Sequence, residues 1–109
     1  MLLETVDYSA GVGSYTLAST PTTIDTIDNT KYRSAKYVIQ ATHASGFQTI
    51  EVLVMHDGTD VYITRYGLMF TASELAEFSV DKDGDNIRLL ATPSNTNTSF
   101  KFTRTVVQA

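Results

Sequence analysis

The sequence predicts an all-β protein, an antiparallel β-sandwich with a jelly-roll-like arrangement, and three observations lead there. Threonine is dense, above all in STPTTIDTIDNT and ATPSNTNTSFKFTRT, and β-branched side chains favour extended backbone over helix. Glycine-marked reversals at 45–46, 57–58 and 83–84 each set apolar residues against apolar residues across the ladders they imply. The one helical cue is too short for more than a turn or two.

Strand-like runs fall at about residues 2–8, 14–18, 22–28, 35–44, 47–56, 60–66, 77–82, 86–92 and 99–107. With Ser45 and Gly46 as a central turn pair, Ala41 opposes Ile50, Ile39 opposes Val52 and Tyr37 opposes Val54. With Asp57 and Gly58 as the next, Val54 opposes Val61 and Val52 opposes Ile63, so the same face of the middle strand stays inside. A third pair, Asp83 and Gly84, puts Val80 opposite Ile87 and Phe78 opposite Leu89. Between the second and third hairpins, YGLMFTASELAEF carries Thr71 and Glu74 at capping-box spacing, which allows at most a short helical turn near 71–77. That segment is expected to carry the chain from one sheet edge to another, as a sandwich requires. In FKFTRTVV, Phe100 and Phe102 alternate with Lys101 and Thr103, so one face of this last strand is buried. TPSNTNTS before it reads as a loop.

The 109 residues suit one domain, 1–109, with no linker or repeat to divide it. At 42% hydrophobic and 18% charged residues, the composition is that of a chain able to fold. The net charge of -4, with Lys and Arg scattered from Lys31 to Arg104, argues against nucleic acid as a partner. The absence of cysteine removes disulfides, thiolate metal sites and cysteine nucleophiles. MLLETVDYSAG lacks the cationic leader of a signal peptide, and no stretch approaches the roughly 18 apolar residues of a membrane span, so a soluble protein is expected.

DKDGDN, residues 81–86, spaces Asp81, Asp83 and Asp85 like the opening of a calcium loop. Written out to Thr92, the loop has Asn86 where the bend wants glycine and Thr92 where a bidentate glutamate should close it, so the stretch reads as an acidic hairpin turn. His43 and His56 fall at opposite ends of their ladder and cannot share a metal. Neighbouring His56 and Asp57 point to opposite faces of a strand, which excludes a triad built on them. Asp25 and Asp28 lie on opposite sides of an extended chain and make a poor carboxylate pair. No phosphate loop, nucleophile elbow or zinc-protease helix occurs, and neither catalytic residues nor cofactors nor metals are expected.

Two strand faces remain. Glu51, Leu53 and Met55 share the side opposite Ile50 and Val52, and such a mixed face is either covered by a second layer or used in a subunit contact. Tyr62 and Tyr66 share a face with Thr64 between them, an arrangement that packs across strands, stacks in an interface or receives a sugar. Leu53, Met55, Tyr62 and Tyr66 are therefore the candidate interface residues.

Over residues 32–93, YRSAKYVIQAT, FQTIEVLVMHDGTDVYITRYG and LAEFSVDKDGDNIRLLATP resemble a module of virion structural proteins of marine tailed phages, cyanophages among them. The resemblance implies a β-rich, non-catalytic part of a tail fibre, baseplate or capsid surface. It also implies a homo-oligomer, with a trimer expected, whose partners are its own copies and other virion proteins. The alternative reading of the residues is a carbohydrate-binding module that meets a glycan through Tyr62 and Tyr66.

Overall fold

The structure is a computed structural model that describes residues 4–10, 21–95 and 98–109. Eight strands follow one another: β1 (Glu4–Ala10), β2 (Thr22–Asp28), β3 (Tyr32–His43), β4 (Gly46–His56), β5 (Val61–Phe70), β6 (Ala76–Asp83), β7 (Asn86–Pro93) and β8 (Ser99–Gln108). They form two antiparallel sheets, a larger one ordered β1-β8-β3-β4-β5 and a smaller one ordered β2-β7-β6, packed as a sandwich. The expected strand at 14–18 lies outside the described residues. No helix forms at 71–77. Residues 71–73 are a bend and strand resumes at Ala76, while Thr71 pairs with Phe47 through both its backbone N–H and its Oγ1. This segment does carry the chain from β5, an edge of the larger sheet, to β6, an edge of the smaller one. The pairings β1 with β8 and β2 with β7 wind the chain ends together, but β3, β4 and β5 are a plain meander in one sheet, so jelly-roll winding does not run through the whole chain.

The period of two explains the core. Ala35, Tyr37, Ile39 and Ala41 of β3, Ile50, Val52 and Val54 of β4, and Phe100, Phe102 and Val106 of β8 all face inward and are buried. Ile24 and Ile27, Phe78, and Ile87, Leu89 and Ala91 meet them from the smaller sheet. Phe78 reaches Phe100 edge-to-face across the sandwich at 6.0 Å, and Tyr37 meets Phe102 in the same way at 5.6 Å.

All three hairpins keep the expected faces but pair two residues away from the expected register. Ile39 faces Ile50 rather than Val52, Val54 faces Ile63 rather than Val61, and Phe78 faces Ala91 rather than Leu89. A slip of two leaves every side chain on its own face, so the apolar pattern cannot resist it. Local turn chemistry decides instead. The first turn centres on Ala44 and Ser45, the third on Gly84 at φ 59° and Asp85. The second opens to residues 57–60, because Asp57 Oδ1 accepts the N–H groups of Thr59 at 2.9 Å and Asp60 at 2.8 Å.

Ala44 sits at φ 52°, a left-handed backbone that costs a residue with a Cβ about 1 kcal/mol. Ala44→Gly is expected to raise the urea midpoint by the equivalent of about 0.5 kcal/mol, once the greater freedom of glycine in the unfolded chain is subtracted. A lower midpoint would contradict this account of the turn.

Candidate functional site

The larger sheet has one face against the core and one without a covering layer among the described residues. On that outer face the register places Met55 directly opposite Tyr62, Leu53 opposite Thr64 and Lys36, and Glu51 opposite Tyr66 and Val38. The four residues expected at an interface therefore share one surface on adjoining strands. All four are exposed, as is Val38 of β3. Among the described residues the smaller sheet lies over the Ile50 and Val52 side of β4 and leaves the mixed face uncovered.

Two shallow hollows mark this face. Leu53, Met55, Tyr62 and Thr64 line one of about 380 Å³, and Val38, Gln40, Thr49 and Lys101 line another of about 180 Å³. The charges between them are matched: Lys36 Nζ lies 3.2 Å from Glu51 Oε1, which holds the Lys36 ammonium above its usual range. At the rim, the Tyr62 hydroxyl donates to Asp57 Oδ2 at 3.1 Å, and this bond raises the phenol. The Asp57 carboxyl is lowered, first by the backbone N–H groups of Asp60 and Thr59 and then by Tyr62. The loop thus fixes the hydroxyl end of Tyr62, which stands directly opposite Met55 across the ladder.

The apolar surface runs further than the sequence suggests. Met69 at the end of β5, opposite Thr49, and Phe47 at the start of β4 are also exposed on this side, whereas the exposed Leu68 and Phe70 fall on the other side of β5, Phe70 opposite the inward-facing Gln48. The expected strand stopped at residue 66 because strict alternation fails at Gly67. Here β5 holds one residue more than β4 between the pairs Glu51–Tyr66 and Thr49–Met69, and Gly67 takes φ 68°. A glycine inside an apolar strand run is the signal for such a bulge. Beneath the same strand, a cleft of about 270 Å³ opens between the β5 and β6 edges, lined by Ile50, Arg65, Leu68, Glu74, Glu77 and Phe78. Arg65 Nη1 crosses it to donate to the Phe78 carbonyl at 2.5 Å.

The remaining sequence candidates lie apart from this face, several of them in internal contacts. Asp81 accepts two bonds from Arg88, at 2.7 and 2.5 Å, which lower its carboxyl and occupy the first position of the supposed calcium loop. Asp28 caps its own turn by accepting Thr30 N–H at 2.9 Å. Asp25 turns inward at a β-bulge and meets Tyr37 and Arg104. His43 and His56 stand at opposite ends of the β3–β4 ladder. Among the described residues no three His, Asp or Glu side chains converge as a metal site would need.

No helix among the described residues is long and apolar enough to cross a membrane. No protein-family model matches the chain, and no curated protein does. Among solved structures, it is similar to part of the tailspike protein of Acinetobacter baumannii phage AM24, at 14% identity and a TM-score of 0.46, over 98% of this chain and 26% of that one. It is also similar to part of the tailspike protein of Acinetobacter phage vB_ApiP_P1, at 22% identity and a TM-score of 0.41, over 98% of this chain and 21% of that one. The chain therefore spans only about a quarter of the length of the tailspike chains it matches.

Proposed function

We propose that this chain is a non-catalytic structural module of a phage virion, which assembles with copies of itself through the outer face of β3, β4 and β5. The observation that carries the reading is the contiguous exposed set Val38, Leu53, Met55, Tyr62 and Tyr66 on three adjoining strands. Covering such a face stabilises an assembly by about 25 cal/mol per Å² of apolar area before the costs of association are subtracted. A second copy suits the surface because its central charges, Lys36 and Glu51, already neutralise each other, so two like faces meet without repulsion despite the net charge of -4. The virion setting follows from the sequence resemblance over residues 32–93 to modules of marine tailed phages, and a three-fold arrangement is the expected assembly.

Leu53→Lys tests the surface. Leu53 is already 41% exposed, so the monomer should keep its melting temperature, whereas a charge pressed against a second copy should weaken association at least tenfold. Light scattering reads both wild type and variant. Unchanged association in the variant would remove the face from the assembly. A strictly monomeric wild type that binds a glycan array, and stops doing so as Tyr62→Ala, would favour the carbohydrate reading instead.

A further inference from the structure

The loop at the rim of this face is built on a single histidine. His56 ends β4 and is 3% exposed, and both ring nitrogens are engaged. Nε2 lies 2.7 Å from the Tyr32 carbonyl oxygen, which can only accept, so Nε2 carries the proton. Nδ1 lies 3.0 Å from the Gly58 backbone nitrogen, which can only donate, so Nδ1 offers its lone pair. These partners demand the neutral ring. A second proton would have to enter at Nδ1, where it would meet the Gly58 N–H head-on.

Charged groups near the ring come from β3, β6 and the loop itself. Arg33 of β3 donates to the His56 carbonyl at 3.1 Å, and Lys82 of β6 donates to the Gly58 carbonyl at 3.0 Å. Asp57 and Asp60 of the loop oppose them. Asp57 is already committed, through Oδ1 to the Thr59 and Asp60 amides and through Oδ2 to Tyr62 of β5. The direction of the two ring hydrogen bonds decides what a proton does there.

We propose that the 57–60 loop is an acid-released clasp: protonation of His56 expels the Gly58 N–H, opens the loop and frees Tyr62 from Asp57. The Gly58 bond needs the Nδ1 lone pair and is lost when that nitrogen takes a proton. Loosening of the assembly by acid is a consequence that rests on the self-assembly reading above; release of the loop does not.

The test is nitrogen-15 NMR of the whole chain. Imidazole correlations at neutral pH should show the Nε2–H tautomer. On acidification the Gly58 and Thr59 amides should move together with the His56 ring, with one shared midpoint, while the amide of Ala91, in the middle strand of the smaller sheet, stays still. His56→Gln, which keeps one donor and one acceptor, should abolish the movement. The clasp is overturned if the ring is the Nδ1–H tautomer, if the ring titrates while Gly58 stays still, or if the loop moves only where carboxylates titrate. Sedimentation at the two ends of the titration then tests the consequence. Loss of association in acid by wild type but not by His56→Gln supports the coupling, and unchanged association alongside a moving loop contradicts the coupling alone.

Discussion

Replacing Gln48 with leucine is expected to lower the stability of this protein by about 3 kcal/mol, although the substitution puts an apolar side chain into an apolar site. Gln48 is 1% exposed and faces inward from β4 toward the smaller sheet. Its Nε2 donates to the Ala76 carbonyl at 3.0 Å, and its Oε1 accepts the Ala76 N–H at 3.1 Å and the Leu75 N–H as well. β6 is an edge strand, and the Leu75 carbonyl already takes the Ser94 N–H from the β7 side. The groups of Ala76 consequently point the other way, where no strand follows. One glutamine side chain stands in for that missing strand. Leucine would leave two N–H groups and one carbonyl buried without partners, each costing about 1–3 kcal/mol, partly recovered where the edge relaxes toward water. Urea unfolding reads the loss, and a change below about 1 kcal/mol would show that the Gln48 bridge carries little.

Breaking the ion pair between the sheets should cost a similar amount. Arg104 faces inward from β8, and its Nη1 donates to Asp25 of β2 at 2.9 and 3.1 Å, while the Tyr37 hydroxyl donates to the same carboxylate at 2.7 Å. The Arg104 and Asp25 side chains are only 15% and 17% exposed. Burial is the main reason the Tyr37 phenol is pushed far above its ordinary range, with the Asp25 charge adding to it, so the hydroxyl stays a donor at any physiological pH. Asp25→Ala removes the carboxylate that neutralises the Arg104 guanidinium between the sheets, and about 3 kcal/mol of destabilisation is expected. Tyr37→Phe should cost about 1 kcal/mol by itself, and much less in the Asp25→Ala background, because the two share one carboxylate. Additive losses in that double-mutant cycle would contradict the network.

These two ties show where sequence reading stopped. Ile39, Val52, Phe78 and Phe102 announce themselves as core by period alone, and the outer positions of Leu53, Met55, Tyr62 and Tyr66 follow from the same parity. Parity does not choose among registers that differ by two, which is why Ile39 meets Ile50 and not Val52. The partners of Gln48 lie 27 and 28 residues away in the other sheet, so nothing local marks that glutamine as more than a surface residue caught on an inward position. Asp25 is hidden in another way. A bulge between Thr23 and Asp25 brings both Ile24 and Ile27 to the core three positions apart, and strict alternation cannot place the carboxylate between them. The end of β5 is hidden for a related reason, since the Gly67 bulge breaks the pattern just before the exposed Leu68, Met69 and Phe70.

Sedimentation velocity on the unsubstituted chain across a wide dilution series tests the central claim most directly. The outer face of β3, β4 and β5 predicts a discrete oligomer that dissociates on dilution, with Leu53, Met55, Tyr62 and Tyr66 shielded while it persists. A single monomeric species at every concentration would contradict it.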